Sequence, residues 1–266
     1  AGMKPEDLST GAVIITGETA RKQNANVVLD TLSNLAGDFV VATAGPDLES
    51  VLAARGAGTD VLSEEHRSVV ANLDVGGGTT DIAVISLGGA VISDSIKCAG
   101  DKFDDAMLRY VKKKYNMLIG ERTAEEVKIN IGSAFPRREE AYMEITGRNL
   151  ISGLPKTITL SSNETIEAFQ EPLNSIMETV HGVLERTPPE LASDIAENGI
   201  CMTGGGALLY GLDRLLSERT KIPCYVADDA ISCVAIGTGK SLDNIDIYGT
   251  TVYYDYRRGE NYYDKY

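Results

Sequence analysis

The chain has 266 residues, a hydrophobic content of 43% and a formal net charge of −14. That length supports one large or two medium domains with a real core, and the charge argues against a nucleic-acid partner. The four cysteines, Cys98, Cys201, Cys224 and Cys233, form no C-x-x-C pair, and the two histidines, His66 and His181, have no ligand-like neighbours. Reduced buried thiols and a cytoplasmic protein are therefore expected. No apolar run approaches the roughly 20 residues of a membrane-crossing helix, and no secretory signal precedes the first predicted strand.

Residues 1–10 read as a loop and Gly11–Thr16 as a strand. Ala20–Ala36 has helical spacing, with Val27, Val28, Leu32 and Leu35 on one face. Asp38–Ala44 reads as a second strand and Pro46–Ala53 as a second helix, so a βαβ unit with parallel strands is expected. Gly56–His66 is polar and reads as a loop.

The next stretch, Asn72–Ile85 (NLDVGGGTTDIAVI), organises the chain. Two β-branched runs joined by Gly76, Gly77 and Gly78 predict a hairpin. Glycines leave no Cβ in the way, so backbone N–H groups can close around a phosphate. Asp74, just before the turn, can hold a hydrated Mg²⁺ on that phosphate. Thr79 and Thr80 add hydroxyls. The pattern is no Walker loop, because no G-K-[ST] follows and no helix starts there.

After the hairpin, Ala90–Cys98 reads as a strand and Gly100–Tyr115 as a helix. Thr123–Ile131 reads as a helix capped by Thr123 with Glu126 at the box position. Glu125 and Lys128, at i and i+3, share a face of it, where a carboxylate can accept ribose hydroxyls and a lysine can lie beside a base. Pro136–Gly147 and Leu154–Leu160 read as strands of a smaller α+β insert. Ser161–Leu184 reads as two helices divided by Pro172, ended by Pro188–Pro189. A strand at 197–203 then runs into Gly204, Gly205 and Gly206, followed by a helix, Ala207–Glu218. Bare backbone beside a helix start suits a purine face or a phosphate. Ile222–Ala227 is the last predicted strand and Ser232–Asp243 the last helix. The tail from Tyr248 holds seven of the twelve tyrosines and reads as disordered.

The D-x-G-G-G-T-T-D hairpin resembles that of the actin, Hsp70 and sugar-kinase superfamily. From about Val70 to Asp246 the chain is similar to the C-terminal half of the MreB family of bacterial actins. The similarity rests on DVGGGTTDIAVISLGG (74–89), AGDKFDDAMLRYVKKKYNMLIGERTAEEVKINIGSAFP (99–136), GLPKTITLSS (153–162), VLERTPPELASDI (183–195), TGGGALLYGLDRLLSE (203–218) and CVAIGTGK (233–240). The segment from Thr10 to about His66 does not match that family. It is similar to EutA, the reactivating factor of ethanolamine ammonia-lyase, so the chain reads as a splice at the shared hairpin.

The resemblance implies an α/β, actin-like (RNase H-like) ATPase fold with an inserted small α+β subdomain and an incomplete first domain. It divides the chain into a first domain (1–70), a second (71–246) with its insert at about 135–187, and the tail (247–266). It implies ATP and Mg²⁺ as cofactors. Asp74, Thr79 and Thr80 would be the catalytic group, with Asp74 on the metal. Gly76, Gly77, Gly78, Glu125, Lys128, Gly204, Gly205 and Gly206 would hold the nucleotide. The first phosphate hairpin is missing, and Ala44–Gly45–Pro46 stands where the family carries a glutamate, with Asp47 and Glu49 displaced, so impaired hydrolysis is expected. The implied role is a cytoskeletal, filament-forming protein of cell-shape determination, in the cytoplasm and at the inner face of the membrane, with cell-wall machinery as partner. The alternatives are a EutA-like ATP-dependent chaperone of ethanolamine ammonia-lyase and an inactive hybrid of the two.

Overall fold

The computed structural model describes residues 11–15, 39–43 and 46–242. The predicted loop at 1–10, helix at 20–36 and tail fall outside the described residues. Strands β1 (Gly11–Ile15) and β2 (Phe39–Thr43) pair in parallel, as the βαβ reading expects. Helix α1 (Pro46–Ala57) follows, four residues longer than predicted. The segment read as a polar loop contains a helix, α2 (Thr59–His66). Its buried residues are Thr59, Asp60 and Ser63, so no apolar period announces it. Hydrogen bonds hold them instead: Thr59 Oγ1 donates to the Ala54 carbonyl, Arg55 Nε to Asp60 and Ser63 Oγ to the Ser68 carbonyl.

The central sheet is built on the predicted hairpin. Strands β3 (Val69–Val75) and β4 (Thr80–Ser86) are antiparallel, and β5 (Gly89–Ile96) continues the meander. On the other side of β3 lie β9 (Ile200–Thr203) and β10 (Cys224–Val226), both parallel to it in sense, giving the order β10-β9-β3-β4-β5. Alternation along the strands sends Leu73, Val75, Ile82 and Val84 into the main core. Ala83 and Ile85 face the other way, against Ala54 of α1. Both faces are thus covered, which is why Ile82–Ile85 of β4 reads as an unbroken apolar run.

Helix α3 (Gly100–Tyr115) is amphipathic and buries Phe103, Ala106, Met107 and Val111. After the short β6 (Met117–Leu118), α4 runs from Glu121 to Ile131. Its N-cap is Gly120, with no side-chain cap, so Thr123 does not cap it; Thr123 lies inside the first turn. Strands β7 (Tyr142–Asn149) and β8 (Pro155–Ser161) pair antiparallel and join β6 in a second sheet. The first of them starts six residues later than predicted. The predicted pair of helices divides at Phe169, between α5 (Ser162–Ala168) and α6 (Gln170–Arg186), and Pro172 sits in the first turn of α6. Ser161 and Glu164 form a capping box on α5. Phe169 meets Phe103 edge to face, with ring centroids 5.1 Å apart.

Pro188–Pro189 does not only end a helix. Pro189 begins α7 (Pro189–Asn198), since a missing N–H costs nothing in a first turn. The helix predicted over Ala207–Glu218 is two elements, a 3₁₀ turn (Gly205–Leu208) and α8 (Leu212–Thr220). Gly211 separates them at φ 74°, and a Cβ there would lie 2.5 Å from that of Phe135. The last helix, α9 (Cys233–Leu242), crosses α1 at close range.

Candidate functional site

The hairpin turn and α3 lock together through backbone. The Gly76 and Gly77 carbonyls accept from the N–H groups of Gly100 (3.1 Å) and Asp101 (2.8 Å), which satisfies two orphan donors of the helix start. Gly76 N–H closes the turn on the Thr79 carbonyl at 3.0 Å. The N–H groups of Gly77 and Gly78 donate to no protein acceptor among the described residues. Gly77 is exposed. This is a ready anion cradle.

The second glycine run lies against the same hairpin. Gly204 has φ 82°, and a Cβ on it would meet Asp74 Oδ1 and the Val75 carbonyl oxygen at 2.4 Å. Gly206 rests on the Val75 side chain. Gly205 faces open space.

Between these backbones is a cavity of about 640 Å³. Gly76 and Gly77 come to it from the hairpin, Glu125 and Lys128 from α4, and Gly205 and Gly206 from the loop after β9. Six of the predicted binding residues are therefore brought together from segments up to 130 positions apart. Exposed Ile129, Leu208 and Ile231 supply apolar surface, with Arg137 and Tyr210 beyond them. Leu208 and Tyr210 lie in the stretch of the second glycine run and Ile129 beside Lys128, whereas Arg137 and Ile231 carry no motif. Lys128 is tied down: Nζ donates to Asp104 at 2.7 Å and to the Gly100 carbonyl at 3.2 Å.

Asp74, Gly78, Thr79, Thr80 and Gly204 do not line the cavity. Thr80 is fully buried, and its hydroxyl donates to the Cys98 carbonyl at 2.6 Å, so it is committed to the fold rather than to the cavity. Asp74 stands opposite Asp81 in the β3–β4 register and is 4% exposed. Its Oδ1 has no hydrogen-bond partner. Burial pushes its carboxyl up to about 7, repulsion from Glu49 and Asp81 adds to that, and the Thr203 hydroxyl pulls it back. Among the described residues no three His, Cys, Asp or Glu side chains cluster as a metal site, and no helix is long and apolar enough to cross a membrane.

The chain matches the family described as MreB/Mbl protein over residues 10–250. The cell shape-determining protein MreB of Escherichia coli K12 is 54% identical over 201 residues, 76% of this chain and 57% of that protein. Mbl of Bacillus subtilis is 52% identical over 198 residues, 74% of this chain and 59% of that protein. The chain thus spans somewhat over half the length of these relatives. MreB5 of Spiroplasma citri, solved with AMPPNP, superposes with a TM-score of 0.76 at 36% identity, covering 88% of this chain and 68% of that one. The same protein with ADP gives 0.77 at 36% identity, covering 90% and 71%. A MamK double helical filament gives 0.66 at 19% identity, over 88% of this chain and 68% of that one, and shows the fold alone. The expectation that Thr10–His66 lies outside this family is corrected, because the family match runs through it. With an actin-like fold and a match over nearly its whole length, the chain belongs to the MreB/Mbl family.

Proposed function

We propose that this chain binds an adenine nucleotide in the cavity and acts as an actin-like cytoskeletal protein of cell-shape determination. The observation that carries the reading is the convergence of two glycine-backbone surfaces and the Glu125–Lys128 face on one cavity of about 640 Å³. The solved MreB5 structures hold AMPPNP and ADP, which supports the same ligand class here. Gly77 and Gly78 would take the phosphates on their free N–H groups, with Gly76 closing the turn on the Thr79 carbonyl and the Thr79 hydroxyl beside them. Glu125 would accept the ribose hydroxyls, and Lys128, held by Asp104, would flank the sugar. Gly205 and Gly206 would bring bare backbone to the base, with Gly204 seating the run against Asp74 and Val75.

Asp74 fits a Mg²⁺ companion. Its unpartnered buried oxygen lacks a positive neighbour, and a cation there, keeping most of its waters, would satisfy it. When bound, Mg²⁺ neutralises phosphate charge. The division into a first domain (1–70), a second (71–246) with an insert near 135–187, and a tail belongs to the same proposal. So do self-association into filaments, the cell-wall machinery as partner and a place at the inner face of the membrane. The EutA alternative, the inactive hybrid and impaired hydrolysis gain no support from the fold or from the family match.

Titration calorimetry with Mg·ATP tests the reading. Gly205→Val is the cleanest variant, because Gly205 lines the cavity and a Cβ there has nothing within 4 Å. Binding by the unmodified chain, lost in Gly205→Val with an unchanged melt, is the expected result. No binding by a cooperatively folded unmodified chain would end the proposal.

A further inference from the structure

Two cations line the cavity, and only one of them is matched. Lys128 is paired with Asp104. Arg137 forms no ion pair among the described residues, yet it is held firmly. Its Nε donates to Ser133 Oγ at 2.8 Å and its Nη2 to the Gly132 carbonyl at 3.1 Å. One face of its guanidinium lies on the Tyr210 ring, 4.3 Å from the centroid. The remaining nitrogen, Nη1, has no acceptor among the described residues. A planar donor fixed by two bonds and a ring needs little further ordering when a ligand arrives.

Its place is set by a strap, residues 132–137, that docks on the segment after the 3₁₀ turn. Ala134 N–H donates to the Tyr210 carbonyl at 2.8 Å, and Ser133 bridges to Tyr210. Gly206 rests on Val75 beside the hairpin turn, whereas Tyr210 lies past the turn's far end. The cavity that Arg137 lines also carries Ile129, Leu208 and Ile231, 71%, 56% and 68% exposed, which are apolar side chains rather than anion ligands. A free donor in a cavity that also carries apolar side chains suits a heteroaromatic ring with acceptor nitrogens at its edge.

We infer that Arg137 is the base-reading residue of this cavity. It donates from Nη1 to an acceptor on the purine edge, and Tyr210 and Ser133 hold it in plane. This rests on the nucleotide reading proposed above. The rival role for such a cation is a phosphate contact, and the two separate by ligand. A base contact is made equally by AMP, ADP and ATP, whereas a phosphate contact strengthens with each phosphate added.

The test is Kd for AMP, ADP and ATP, each with Mg²⁺, for the unmodified chain, Arg137→Ala and Arg137→Lys, with thermal melts alongside. Arg137→Ala is expected to weaken all three by one common factor of about ten, the size of a single cationic contact at a half-exposed site. Arg137→Lys keeps the charge but loses the fork and is expected to stay weakened. Unchanged affinities, a loss that grows from AMP to ATP, or full rescue by lysine would each overturn the assignment. If Arg137→Ala does not fold, Arg137→Lys carries the same three-ligand comparison. Failure of the unmodified chain to bind any of the three would instead strike the nucleotide reading itself.

Discussion

Replacing Asp74 by asparagine should make the protein more stable at pH 8 and leave it little changed at pH 4.5. Asp74 is 4% exposed on the sheet face that also carries Asp81, with Glu49 near enough to repel it. Burial and these two acids raise its carboxyl from an ordinary 3.8 to about 7. Below pH 4 the group is protonated in both the folded and the unfolded chain and contributes nothing. Between about 4 and 7 the unfolded chain releases the proton while the folded one keeps it, so stability falls as pH rises. A shift from 3.8 to about 7 corresponds to at most about 4 kcal/mol given up by pH 8. Denaturant midpoints at pH 4.5, 6 and 8 for both proteins are the assay. The unmodified chain should lose stability across the series, and Asp74→Asn should flatten the loss by about 2–4 kcal/mol. Added Mg²⁺ should recover part of the loss only in the unmodified chain. Parallel pH profiles for the two proteins would refute the reasoning, because they would mean that Asp74 is solvated or paired.

Three further outcomes follow from packing. Gly56→Ala places a Cβ 1.7 Å from the Cys233 carbonyl oxygen, where α1 crosses α9, and should cost about 1–3 kcal/mol; Gly182→Ala, inside α6 with nothing within 4 Å, is the control in the same melting experiment and should not destabilise. Phe169→Ala removes a fully buried ring from its edge-to-face contact with Phe103 and should cost about 3–5 kcal/mol in denaturant unfolding. Ser161→Ala breaks the capping box on α5 and should cost about 0.5–2 kcal/mol, with no effect on nucleotide affinity by calorimetry.

The parts of this protein that sequence revealed are those in which a local pattern and the tertiary fold ask for the same residues. The hairpin at 69–86 was legible because β-branched runs, three glycines and a flanking aspartate all serve one turn. The Glu125–Lys128 face was legible because helical spacing alone puts the two together. Helix α2 was hidden because its buried side is Thr59, Asp60 and Ser63, held by hydrogen bonds rather than by apolar contact. Helix α7 was hidden because a proline pair stops one helix and starts another, and only Ile195 is buried in it. The break at Gly211 depends on Phe135, 76 positions earlier, which no local window contains. The same holds for Arg137: its position beside the cavity is made by the docking of residues 132–137 on Tyr210, a contact between distant segments. Thr80 is the converse case, a residue inside the motif whose hydroxyl donates to the Cys98 carbonyl.

The most direct test of the account is hydrogen–deuterium exchange of the chain with and without Mg·ADP. The two-sided cavity predicts simultaneous protection of three separated segments, Gly76–Thr79, Glu121–Gly132 and Thr203–Tyr210, with the strand interiors of the central sheet unchanged. Protection of only one of these segments, or none, at a saturating nucleotide concentration would contradict it.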